Sequence, residues 1–556
     1  MTQNQDWWRG AVIYQIYPRS FQDSDGDGIG DLRGITARLE HVARLGADAI
    51  WLSPVNRSPM ADMGYDVSDY YDIDPLFGTL ADFDALVARA HELGLKVIID
   101  QVLSHSSDRH PWFVESKRRG ATADWYVWAD PKPDGSPPTN WQSVFGGSSW
   151  EWAPERGQYY LHNFLIGQPD LNLRNPEVQD EMLKVLRFWL ERGVDGFRLD
   201  TVNYYIHDAE LRDNPPEVPD PDRWPPVSTY DMQAHDYDKS RPENLDFLKR
   251  LRALTDAYDA RCLVGEVGDS PKRALRLMEA YTAGSERLHM AYSFDMLGPE
   301  FTPAHYRRII EGFFAGAPDG WPSWSFSNHD VNRHVSRWAD HGAPDAVAKL
   351  AIAMLASFQG TIGLYQGEEL GQTETELSYE ELTDPPGLRF WPENKGRDGC
   401  RTPMVWDSGP EAGFSAARPW LPVKPAQATR NVAAQEADPA SVLHHYRAVL
   451  AFRRASPALR LGRTEWLSAP DPVLAFRRVL GAETLSCFFN LGPEPVTMVA
   501  PRGDLAGPSL GARMEGFEMV LGPNAAVWLR DTPDVVEGAG WSLGRALAKV
   551  KKLVGG

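Results

Sequence analysis

Seven polar side chains fall at or just beyond the ends of apolar runs. They are Asp100 after LKVII, His105 a little further on, Arg198 and Asp200 in GFRLD, Glu266 in CLVGE, and His329 with Asp330 in SFSNHD. In an extended strand alternate residues share a side, so Arg198 and Asp200 point together while Val194, Phe197 and Leu199 are apolar. Alone, such a pair would be a surface ion pair of little consequence. If the fold gathers Asp200, Glu266 and Asp330 at one mouth, three like charges cannot all be ionised cheaply, and one acid is expected to hold a proton near neutral pH. A protonated acid beside a carboxylate is what cleavage of a glycosidic bond requires.

The elements that must position these residues alternate along the chain. Strand-like runs fall at 11–17, 47–52, 95–100, 194–199, 262–266, 288–294, 323–327 and 360–365. Helical spacing follows at 32–45, 83–93, 177–192, 243–260, 270–282, 303–315, 343–357 and 441–454. Eight strand and helix pairs favour an α/β fold of the closed (β/α)8 barrel type, in which chemistry sits where strands finish. The first strand is followed by no Gly-rich phosphate fingerprint, which weighs against a dinucleotide fold. Two regions break the alternation. Residues 105–174 are polar and rich in Trp and Pro, too long for an ordinary loop, and are expected as a domain inserted after strand three. From 461 to 535 short alternating runs such as VLAFRRVL and LSCFFNL predict a C-terminal antiparallel β domain. The barrel then comprises 1–104 and 175–460, and 536–556 reads as a short basic amphipathic tail packed on its own protein.

Composition narrows the partners. The net charge of −20 repels nucleic acid and anionic membranes, and no apolar stretch has spanning length. Twenty Trp residues suit neutral, hydroxyl-rich ligands whose C–H faces pack on rings. Cys262, Cys400 and Cys487 imply no disulfide framework. The start, MTQNQDWWRG, lacks a basic stretch followed by an apolar run, so a cytoplasmic location is expected.

The segments DQVLSH (100–105), GFRLDTVN (196–203), GEV (265–267) and SNHD (327–330) resemble the four short regions of the α-amylase family, glycoside hydrolase family 13. QPDLN (168–172), GTIGLYQGEELG (360–371) and AVIYQIYPRSF extend the resemblance, which runs in order from about residue 7 to 530. The opening WWRGAVIYQIYPRSFQDSDGDGIGDL and RTPMVWD (401–407) are most similar to the oligo-1,6-glucosidase and α-glucosidase branch, in particular bacterial disaccharide-acting α-glucosidases. The resemblance implies Asp200 as nucleophile, held ionised by Arg198, Glu266 as acid and base, and Asp330 as stabiliser of the distorted sugar. It implies His105 and His329 gripping the same ring, and Asp62, Tyr65 and Arg397 binding the non-reducing-end glucose, with Arg401 the second choice for that arginine. Retention of configuration and transglucosylation as a side activity are the implied outcomes.

Thr201 stands where the resemblance puts Thr in α-1,4-acting members, so maltose-type disaccharides are the expected small-molecule partners. The Pro- and Asp-rich stretch 203–244 either walls off the leaving-group side or is a loose surface excursion. Ser104 replaces the Asn through which amylases commonly bind calcium beside the inserted domain. A different loop is better suited: Asp23, Asp25, Asp27, the Ile29 carbonyl and Asp31 resemble the first nine residues of a calcium loop with Gly28 at the sharp turn, although position twelve is Gly34 rather than Glu. The branch carries such a loop, so a structural calcium or magnesium is expected, with no organic cofactor. The rival readings are a non-catalytic relative, which would lack an intact acid set, and an isomerase or transferase on the same scaffold.

Overall fold

The computed structural model describes residues 5–219, 226–499, 501–516 and 518–531. Eight short strands, Val12–Ile16, Ala49–Leu52, Lys96–Gln101, Gly196–Leu199, Cys262–Val267, Met290–Ser293, Ser323–Ser325 and Thr361–Tyr365, form one sheet in the spatial order 6-5-4-3-2-1-8-7. Neighbours run parallel, and a single bridge from Ala291 to Pro322 joins strands six and seven, so the sheet is a nearly closed barrel. Their interiors are apolar because both faces are covered, as Val97, Ile98 and Ile99 show in strand three.

The helices form where apolar spacing and end signals agree. Helix Leu32–Leu45 buries Leu32, Ile35, Leu39, Val42 and Leu45; the Asp31 side chain caps its first turn, and Gly46 at φ 106° ends it in a conformation that glycine adopts without cost. The helix expected at 243–260 is shorter, Asn244–Thr255. Ala260, at φ 56°, takes a left-handed turn no helix can contain, and this turn feeds strand five.

Register does most of the positioning. Asp100 on strand three lies beside Arg198 on strand four, and Arg198 lies beside Val264 on strand five. Glu266, two residues beyond Val264 and thus on the same side, pairs with Tyr292 on strand six. Four barrel strands thereby present Asp100, Arg198, Glu266 and Tyr292 to one place.

Two excursions cover that end of the barrel. After strand two, Asp62 and Tyr65 lie in the loop between the paired segments Asn56–Arg57 and Asp69–Ile73. After strand three comes a helix, Pro111–Lys117, and a three-stranded antiparallel sheet, Trp128–Ala129, Trp150–Ala153 and Gln158–Leu161, with Trp141 and Trp150 buried in its core. The 203–244 stretch has little regular structure in its described part but is tied to the barrel, as shown below. Strands between Arg463 and Arg530 form the antiparallel C-terminal sheet, and Trp528 from it donates to Ser357 of the barrel at 2.8 Å. The proposed tail at 536–556 lies outside the described residues. Among the described residues no helix is long and apolar enough to cross a membrane.

Candidate active site

The site is built around the Arg198 guanidinium, which is completely buried. Its Nη1 donates to Asp100 at 2.9 Å and to Asp200 Oδ1 at 2.6 Å, and its Nη2 lies 2.6 Å from Glu266 Oε1. Nε and Nη2 also donate to the Tyr292 hydroxyl, which donates in turn to Glu266 at 3.1 Å. The fixed planar fork of arginine is what lets one cation hold three carboxylates in a set geometry. Every one of these donors ends on a protein group, and Arg198 does not line the cavity. Arg198 is therefore a support beneath the two acids rather than a group that meets a ligand.

Above it is a cavity of about 260 Å³. Asp62, Tyr65, His105, Asp200, Thr201, Glu266, Asp330 and Arg397 line it, together with the apolar walls Phe145, Phe164 and Phe294. One wall is closed by Arg397, which reaches Asp62 at 2.8 Å, Asp330 at 3.2 Å and the buried Asp384 at 2.7 Å. Arg401 instead sits fully buried behind Asp330, 3.0 Å from its Oδ1, and donates to the His329 carbonyl at 2.7 Å. Thr201, in the left-handed region at φ 40°, turns its N–H onto Glu266 Oε2 (3.0 Å) and its hydroxyl onto Asp200 Oδ2 (3.2 Å).

His329 differs from expectation. It is buried beneath the cavity wall, stacked on Tyr65 at 5.3 Å, with Nδ1 against Gln15 and Nε2 against the Tyr65 hydroxyl. Both ring nitrogens are thus engaged within the protein, and His105, not His329, faces the cavity.

The electrostatics of the acids set burial against Arg198. Burial pushes Asp200 up to about 7, and the pull of Arg198 in the other direction is not enough to reverse it, because Asp100 and Asp330 add repulsion. Glu266 rises to about 7 in the same way, through burial and then the Asp200 and Asp330 charges, against Arg198. Asp100, on the same guanidinium, rises to about 6, also chiefly by burial, so the acids around Arg198 titrate as a coupled set in which Asp200 and Glu266 are the members pushed furthest toward holding a proton near neutral pH. Asp330 goes the other way: although burial opposes it, neighbouring positive charge holds it well below the usual carboxylate range. Burial keeps His329 itself neutral, so the guanidiniums of Arg397 and Arg401 carry that effect.

The family described as "Alpha amylase, catalytic domain" matches residues 15–462. The chain belongs to the α-amylase family of glycoside hydrolases. Within that family it is 61% identical over 505 residues to the "Probable alpha-glucosidase" of Rhizobium meliloti, covering 90% of this chain and 92% of that protein. It is 38% identical over 530 residues to the "Oligo-1,6-glucosidase" of Parageobacillus thermoglucosidasius, covering 88% and 91%. The crystal structure of an α-glucosyl transfer enzyme superposes with a TM-score of 0.91 at 50% identity, covering 95% of this chain and 99% of that one. The barrel and C-terminal sheet are the architecture expected of an α-amylase family member.

Sequence reasoning missed Tyr292, Asp384 and the three Phe walls. Tyr292 had a signal, since it ends strand six as Glu266 ends strand five. Asp384 had none, because it lies in the irregular stretch after strand eight and meets Arg397 only through the chain path. Away from the cavity, one oxygen each of Asp23, Asp25 and Asp27 lies within 4.8 Å of the others. Three carboxylates so close, with Asp25 and Asp27 exposed, fit a hard divalent cation. Asp31 is not in that cluster; it accepts from Gly34 N–H (2.7 Å) and from Ser24, so its oxygens serve the helix cap. The Ile29 N–H donates to Asp27 at 2.7 Å, which leaves the Ile29 carbonyl out of that bond.

Proposed function

We propose that the protein is an exo-acting, retaining α-glucosidase that favours α-1,4 bonds of maltose and other short glucosides. The observation that carries this reading is that Asp200 and Glu266 both sit 2.6 Å from sister nitrogens of one guanidinium, on the wall of a cavity closed behind Arg397. Two carboxylates held on sister nitrogens of one guanidinium suit the short separation of retaining enzymes, about 5 to 5.5 Å, in which the nucleophile meets the sugar with no water between them. A cavity of about 260 Å³ walled on one side by Arg397 suits a chain terminus.

In the first step an Asp200 oxygen attacks the anomeric carbon, the glycosidic C–O bond breaks, and Glu266 gives its proton to the departing oxygen. In the second, water attacks that carbon from the side the aglycone left, the ester to Asp200 breaks, and Glu266 takes the water's proton back. The shared proton of the Asp200 and Glu266 pair is suited to this exchange. Asp62, Arg397, His105 and Asp330 grip the glucose hydroxyls, and ionised Asp330 stabilises the positive charge that develops on the ring. Asp23, Asp25 and Asp27 hold a calcium or magnesium ion that stiffens the loop before the first barrel helix and takes no part in the reaction.

A transferase reading shares the same intermediate, with a sugar or alcohol in place of water. It is supported by the likeness to the α-glucosyl transfer enzyme. Proton NMR of products from maltose, isomaltose and maltotetraose, compared with Glu266→Gln, tests both. Rapid release of α-glucose from maltose, abolished in the variant, is expected. Preference for isomaltose overturns the linkage assignment, and initial release of β-glucose overturns retention.

A further inference from the structure

The glucose-sized cavity opens outward into a wider vestibule of about 1150 Å³. Only two described residues, Tyr204 and Gly268, line both spaces, and they form the neck between them. Tyr204 follows Asp200 by one turn of chain, and Gly268 lies two residues beyond Glu266.

One ammonium group joins the two halves of this neck. Lys239 Nζ donates to the Gly268 carbonyl at 2.9 Å, to the Tyr204 hydroxyl at 3.1 Å and to the Tyr230 hydroxyl at 2.8 Å. The Tyr204 and Tyr230 hydroxyls are themselves 2.6 Å apart. Lys239 is 4% exposed, so its three N–H donors are all used within the protein and none is left for a ligand. Tyr230 is held from behind by His235, stacked at 3.7 Å and paired with Asp238 at 2.6 Å. Asn203 grips Gly268 at both its N–H and its carbonyl, 3.0 Å each. A buried lysine is costly to keep unless its partners are exact in number and place. Here they connect the turn after one acid, the turn after the other, and the segment that roofs the vestibule.

We infer that Lys239 is a positioning residue that fixes the neck through which leaving group and acceptor pass, and so sets how the glucosyl intermediate divides between water and other acceptors. This rests on the α-glucosidase reading. In transfer, the acceptor oxygen attacks the anomeric carbon as the bond to Asp200 breaks, and its proton passes to Glu266, so the acceptor must be held at the neck on the Glu266 side. Water needs no such holding.

The test uses 4-nitrophenyl α-glucoside with glycerol as acceptor. Nitrophenol counts every intermediate formed, glucose counts those that met water, and the difference counts transfer. This ratio does not depend on how much enzyme is folded. Lys239→Met keeps the stem and removes the charge, while Tyr204 and Tyr230 retain each other and Gly268 retains Asn203. The transfer-to-hydrolysis ratio is expected to fall at least threefold. If Lys239→Met does not fold, Tyr230→Phe, which removes one of the three acceptors, is expected to lower the ratio at least twofold. A ratio unchanged or raised, or a wild-type protein that makes no glycerol glucoside, overturns the inference while leaving the glucosidase reading intact. A wild-type protein that releases no nitrophenol overturns that reading instead.

Discussion

Replacing Arg198 by methionine separates charge from geometry at the centre of the site. The variant fills a similar volume but leaves Asp100, Asp200 and Glu266 without their shared cation. A unit charge about 4 Å away, at an effective dielectric of about 20, is worth about 4 kcal/mol. At about 1.36 kcal/mol per pH unit this moves each acid up by about three. Asp200 and Glu266, already pushed to about 7 by burial, would then titrate about three pH units higher. At pH 7 about one molecule in a thousand would carry an ionised nucleophile, so kcat/KM on 4-nitrophenyl α-glucoside is expected to fall about 1000-fold. The same reasoning requires recovery as pH rises toward 10, because the pair again shares one proton there. The assay is the pH profile of kcat/KM for both proteins. A variant with reduced activity but the wild-type optimum would refute the electrostatic argument and leave Arg198 a purely geometric support.

Asp384→Asn removes one charge from Arg397 but leaves Asp62 and Asp330 in contact with it, so KM for maltose is expected to rise about tenfold with kcat little changed, read by steady-state kinetics. Chelation is expected to lower the thermal midpoint by several degrees, restored by excess calcium or magnesium, and Asp25→Ala should abolish the response. Glu368 is raised from 4.5 to about 8, chiefly by burial, so its contribution to stability is complete below pH 4.5 and lost as pH rises through 8. Glu368→Gln keeps an acceptor for the Tyr365 N–H and should therefore gain stability over wild type between pH 5 and 8, by up to about 5 kcal/mol in denaturant titrations.

The barrel was legible because two periodicities alternate along the chain, and each strand observed lies within two residues of its expected bounds. Asp200, Glu266 and Asp330 were legible for the same reason, since each follows a short apolar run whose end is a strand end. What alternation cannot express is depth. Arg198 and His329 occupy strand ends as legitimately as Asp200 does, yet one lies under the acids and the other behind Tyr65, and only register with neighbouring strands decides this. The net shift of Asp200 was equally hidden, because sequence shows the opposite charge of Arg198 and not the burial that outweighs it. Lys239 and Asp384 belong to long irregular segments, where no period relates position in sequence to position in space.

The charges of the site have a direction that their number alone explains. Arg198, Arg397 and Arg401 stand among Asp62, Asp100, Asp200, Glu266, Asp330 and Asp384, so cations are outnumbered two to one. A neutral sugar gains little from such an excess, and one shared proton is how the resting site limits its cost. The transition state of the proposed reaction is different, because positive charge would grow on a ring bound between Asp200 and Asp330. An excess of fixed negative charge in a dry cavity therefore favours the transition state over the substrate, which is the condition for catalysis rather than mere binding. The guanidiniums are consistent with this. Arg198 and Arg401 are placed behind the acids and held by them, so they set geometry and protonation without facing the sugar, while Arg397, the one that lines the cavity, is surrounded by Asp62, Asp330 and Asp384.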